Sequence, residues 1–171
     1  MAQLVELTSA QLFTVVTAAG DGSGRIGRWT VDALVSYIQL LPSFMQPLTL
    51  AYNECVTLLT GVGLNPASLT DQQAADATYA MAFAAAYRLL LVDAAGATTL
   101  PAENFVTARQ EFGQRVTIFY QLAGKHYDAV GVPKTSNPYY DYAKWEGSFD
   151  IVTRDDATQG YPYGNSFTTI P

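Results

Sequence analysis

The chain has 171 residues, a net charge of −6, nine Lys and Arg, and an apolar fraction of 49% against only 14% charged residues. That length is most simply one domain, and its charge content falls well below the roughly 25% usual for soluble domains. So little polar surface points to a subunit that hides area in an oligomer, and the acidic balance excludes a partner gripped through its phosphates.

The elements follow in chain order. No charged n-region precedes Arg25, so the start does not read as a signal peptide. Thr8 and Gln11 stand at capping-box spacing and predict a short helix through Leu12, Val15, Val16 and Ala19. The β-branched run Phe13 to Thr17 suits a strand nearly as well. A glycine-rich loop, Gly20 to Gly27, comes next. Thr30 predicts an N-cap and Asp32 suits the first turn of the helix after it. Val31, Leu34, Val35 and Ile38 form its expected inward stripe, and Pro42 stops it.

After a break at Pro42 to Pro47, a third helix is expected to about Gly61, where Gly61, Gly63 and Pro66 are stop signals. The single cysteine, Cys55, shares an apolar face with Leu48, Ala51, Tyr52, Leu58 and Leu59, which predicts a buried structural thiol. A fourth helix starts near Thr70, with Gln73 three residues on, and runs to about Ala95. Eight of the thirteen residues from Ala74 to Ala86 are alanine, which favours helix and lets neighbours approach closely, so this should be the central helix of a bundle. The longest apolar stretch, Ala77 to Tyr87, is short for a membrane span and runs into Arg88, so a cytoplasm-made, non-membrane protein is expected. The fifth helix opens at Pro101 and Glu103. Phe105, Ala108, Phe112, Arg115, Phe119 and Leu122 make the clearest amphipathic stripe in the chain, and Gly124 is expected to close it.

The reading is therefore all-α: a small helical bundle over residues 1–130, then an extended arm over 131–171. The arm carries eight of the chain's 21 aromatics: Tyr139, Tyr140, Tyr142, Trp145, Phe149, Tyr161, Tyr163 and Phe167. A solvated linker is poor in such residues, so the arm should dock on something. Those eight and Ile151 are the candidate partner-docking residues. Ser148 to Thr153 reads as a short strand that could add to a neighbour's sheet.

No catalytic, cofactor or metal site is expected. Gly22 to Gly27 fits G-x-G-x-x-G, but Arg28 and Trp29 separate it from the Thr30 cap and no second parallel strand follows. His126, flanked by Lys125, Tyr127 and Asp128, suits the dipole of a helix end, and no nucleophile motif accompanies it. One His and one Cys exclude a metal site built on them, and Asp150, Asp155 and Asp156 lack EF-hand spacing.

A helical domain from Thr30 to Gly124 followed by an aromatic arm from Gly131 to Pro171 resembles the head-to-tail connector (adaptor) proteins of tailed bacteriophages. The resemblance lies in the order of elements. The Gly20 to Gly27 loop and the Ala-rich helix are not marks of that family. It implies a virion protein at the head–tail junction, a homo-oligomeric ring commonly of twelve subunits, and portal and tail or neck proteins as partners. DNA would pass through without specific binding, and no membrane or cofactor is involved. The alternative is a coat subunit of a helical viral filament or rod, with Arg88, Arg109 and Arg115 as the arginines available to RNA. A small enzyme without a recognisable motif is the third class.

Overall fold

The computed structural model describes residues 1–18, 25–27, 29–96 and 102–140, with side chains placed over 1–18, 25–27, 29–92 and 113–140. Among them the fold is all-α: α1 (Ser9–Val16), α2 (Val31–Gln39), α3 (Pro47–Gly61), α4 (Asp71–Gly96) and α5 (Ala102–Val130), with one 3-10 turn at Ser43–Met45. The β pairing among the described residues is confined to two isolated bridges, Ala2 with Leu69 and Ile26 with Trp29.

Local chemistry sets the helix starts. Thr8 Oγ1 accepts from the Gln11 amide and Gln11 Oε1 from the Thr8 amide, a complete capping box. It nucleates helix where the β-branched run left a strand open, and Leu12, Phe13 and Val16 are buried. Thr30 caps α2 through the Ala33 amide, Pro47 opens α3, and Thr70 with Gln73 repeats the reciprocal box at α4. The α3 end turns over at Gly63 (φ +80°), where the Leu64 amide reaches back to the Leu59 carbonyl.

The central position of α4 follows from its burial. Every residue from Ala80 to Ala86 is buried, because α1, α3 and α5 all pack against this helix. By length and composition alone Asp71–Val92 could cross a membrane, but 56% of the span lies inside the protein, the mark of a core helix. Helices α4 and α5 run antiparallel: Phe83 stacks on Phe119 while Asp76, two turns earlier, meets His126, two turns later. Phe119 is buried as the stripe predicted, whereas the side chains of Phe105, Ala108 and Phe112 lie outside the described set.

Three expectations are corrected. Helix α5 does not close at Gly124 but continues to Val130, because Tyr127 and Val130 beyond it are buried and their packing outweighs one helical glycine, about 1 kcal/mol. It ends at Gly131 (φ +102°), with the Val132 amide donating to the Tyr127 carbonyl. In α2, Leu34 is fully buried, Val31 and Ile38 are half-buried, and Val35 points outward, since a helix of nine residues docked on α1 buries a narrower face. The segment Gly131–Tyr140, assigned by sequence to the arm, folds back on the bundle. Val132, Asn137 and Tyr139 are buried there, so the helical domain extends at least to Tyr140.

Candidate functional site

The polar chemistry of the bundle centres on Glu54, carried by α3. Arg88 Nη2 donates to its Oε2 at 2.5 Å, while the Tyr139 and Tyr127 hydroxyls donate to Oε1 at 2.9 and 3.4 Å. The Tyr127 and Tyr139 rings stack with centroids 5.8 Å apart, and Tyr87 and Tyr120 meet Tyr139 edge-on. Burial pushes both hydroxyls, Tyr127 and Tyr139, above the ordinary tyrosine range, so they remain protonated donors. Arg88 Nη1 is buried without an acceptor among the described residues. With its carboxylate paired and hydrogen-bonded, Glu54 is a fastening point for Tyr139. This corrects the assignment of Tyr139 to a partner: its ring fills a slot in its own core and its hydroxyl satisfies a carboxylate there. Asn137 secures the same turn, donating from Nδ2 to the Gly124 carbonyl and to Asp128.

A second pair joins α4 to α5. His126 Nδ1 lies 3.0 Å from Asp76 Oδ1, and Gln72 Nε2 donates to Asp76 Oδ2 at 2.7 Å. The imidazole packs against both Tyr79 and Phe83, at centroid distances of 5.0 and 5.8 Å. The Gln72 hydrogen bond holds the Asp76 carboxyl below its ordinary range, burial opposes this, and His126 adds to it. Sequence spacing credited His126 to the helix dipole and missed Asp76. Their pairing follows from the α4–α5 register that also matches Phe83 to Phe119, which sequence spacing does not announce. An aspartate orienting a histidine is two of the three members of a catalytic triad. Among the described residues, however, no serine, threonine or cysteine bonds this ring, and the thiol of Cys55 instead faces the Ala77 carbonyl at 3.8 Å. Burial pushes that thiol up to about 12, as expected of a structural cysteine.

The glycine-rich loop is described only at Arg25–Gly27. Ile26 and Trp29 pair through both backbone amides around Gly27 (φ +58°), and the Trp29 indole donates to the Leu89 carbonyl. This end of the loop plugs into the core, and the Thr30 hydroxyl already occupies one of the first amides of α2.

Among the described residues, a group of large apolar side chains is exposed on the outer surface. Where α2 turns into α3, Leu40 is 82% exposed, Phe44 69% and Met45 51%, flanked by exposed Val35 and Leu50. Residues 33–53 include no charged side chain. That run of 21 uncharged residues was the sequence signal for this corner, and helix periodicity hid it by assigning Val35 inward. Of the candidate docking residues, Tyr140 is exposed with Lys134 Nζ 5.2 Å over its ring. Tyr142, Trp145, Phe149, Ile151, Tyr161, Tyr163 and Phe167 lie outside the described residues, as do the Ser148 to Thr153 segment and Asp150, Asp155 and Asp156.

No protein-family model, curated protein or solved structure matches the chain.

Proposed function

We propose that the chain is a structural subunit of a tailed-phage virion, a head-to-tail connector that assembles into a ring between portal and tail. The observation that carries this is the outward-facing apolar corner between α2 and α3, formed by Leu40, Phe44 and Met45. A monomer holds Leu40, Phe44 and Met45 in water, whereas covering each by a neighbour would contribute about 1.5–3 kcal/mol when complete. The alanine-cored bundle supplies a rigid block for such contacts, and the residues beyond Tyr140 supply aromatic anchors. A net charge of −6 per subunit suits a wall past which DNA moves without being held.

The filament-coat alternative needs arginines facing RNA, and one of its three, Arg88, is engaged internally by Glu54. Negative-stain imaging with sedimentation of the purified protein tests the reading. Closed rings are the expected result. Open filaments would favour the coat subunit, and a protein that stays monomeric at high concentration, alone and with portal, would overturn assembly as its role.

A further inference from the structure

We propose that the α2–α3 corner of one subunit receives the outer face of α5 of a second copy, in a contact that repeats from subunit to subunit. This inference deepens the ring reading above and rests on it. A ring needs two unlike patches on each subunit, because a contact between identical patches closes at a pair. The corner is one: Val35, Leu40, Phe44, Met45 and Leu50 are exposed there. The other lies on α5, where Ile118 is 48% exposed, Leu122 is half-buried and Lys125 is exposed on the next turn. Positions 118, 122 and 125 share one helix face, which exposed Gln114 and Ala129 extend.

The two patches cannot meet within one chain. Tyr127 lies on the opposite side of α5 from Lys125, and its hydroxyl reaches Glu54 on α3. The α5 stripe therefore points away from α3 and from the corner at the start of that helix. Both helices are packed on α4, so neither can swing round to the other.

Their charges are opposite. From Trp29 to Tyr87 the chain has four acidic side chains and no Lys or Arg. Asp32 is exposed one turn before Val35, and the Glu6 carboxylate accepts from the Thr49 hydroxyl at 2.6 Å, beside Leu50. The corner is thus an apolar surface with an acidic rim. The α5 stripe joins its apolar side chains to the ammonium of Lys125, and the Asp128 carboxylate one turn on already accepts from Asn137. Residues 141–171 are the competing occupant, from the same chain or another. They hold five acidic and two basic side chains, so the acidic rim repels them on balance. Apolar contact supplies the affinity, and attraction between the rim and Lys125 orients the two copies.

Complementation between full-length variants tests this. Phe44→Asp disables the corner and keeps the α5 face, whereas Ile118→Asp does the reverse. Both positions are exposed, so helicity and melting temperature should match wild type. Wild type should assemble, each variant alone should sediment as an 18.5 kDa monomer, and the equimolar mixture should stop at a heterodimer of twice that mass. Ile118→Asp assembling like wild type would overturn the proposal, as would monomers persisting in the mixture. Trp145→Asp with Phe149→Asp leaves both patches intact and should assemble. Its failure to do so would give the corner to residues 141–171 instead. A second measurement combines Phe44→Cys with Ile118→Cys and joins the thiols with a short bismaleimide. A ladder of linked chains supports the contact, and links confined within one chain overturn it. Assembly of wild type without complementation would sink this inference and leave the connector reading standing. A wild type that never assembles would sink both.

Discussion

Ending the chain after Val130, the boundary that composition suggests, should cost most of the stability of the domain, whereas ending it after Tyr140 should cost little. The first truncation removes Val132 and Tyr139, which are 2% and 4% exposed. Burying a side chain such as Val132 stabilises by about 1.5–3 kcal/mol, and a vacated aromatic site costs about 3–5. Two Asn137 hydrogen bonds add about 1 kcal/mol each, and the Tyr139 bond to the charged Glu54 about 1.5–3. The sum, on the order of 8–13 kcal/mol, is comparable to the whole stability of a domain. Tyr139→Phe isolates the hydroxyl. Glu54 keeps Arg88, so the loss should be about 1.5 kcal/mol, or roughly 3–6 °C in Tm for a chain of this size. Far-UV circular dichroism, followed through heat and urea at one protein concentration, measures all three chains. A protein ending at Val130 that melts within about 2 °C of one ending at Tyr140 would refute the assignment of Gly131–Tyr140 to the core.

Phe119→Ala should destabilise by about 3–5 kcal/mol, because Phe119 is buried against Phe83 on α4, and a loss under about 1 kcal/mol in urea unfolding would show that the α4–α5 contact is loose. Cys55 should resist iodoacetamide at pH 8 in the folded protein and react promptly in urea, since burial pushes its thiol up to about 12; equal rates in the two states would contradict its placement. Asp76 titrates lower folded than its ordinary 3.8, so its contribution is complete above that value and fades as pH falls through the depressed one. Asp76→Asn should therefore lower Tm at neutral pH and flatten the acid side of the Tm profile, and an acid limb as steep as wild type would show that this carboxylate is not the group being titrated.

How much of this was legible depended on whether the deciding interactions were local. The caps at Thr8, Thr30 and Thr70 are bonds across three residues, so spacing alone exposed them. The alanines of α4 declared its centrality because a helix buried on all sides has room for little else. Gly124 misled for the opposite reason: locally it is a stop, and the side chains that carry α5 past it, Tyr127 and Val130, find their partners elsewhere in the bundle. Tyr139 and Tyr142 are indistinguishable in composition. What makes the first a core residue is distant in sequence: Glu54, 85 residues upstream, and the rings of Tyr87, Tyr120 and Tyr127. Asp76 and His126 are likewise joined by helix register, which no linear motif encodes.

The corner between α2 and α3 differs from all of these, because the fold itself makes no demand on it. Pro42 and the 3-10 turn at Ser43–Met45 bring α2 round to α3 whatever the side chains at positions 40, 44 and 45. Polar residues there would leave the buried core untouched and keep the monomer more soluble. Large apolar side chains at three exposed positions, inside a stretch without charge, therefore lower the free energy only once something covers them. Two polar pairs elsewhere tie helices together, Glu54 with Arg88 and Asp76 with His126. The exposure of Leu40, Phe44 and Met45 would find the same kind of physical reason in the subunit contact proposed above.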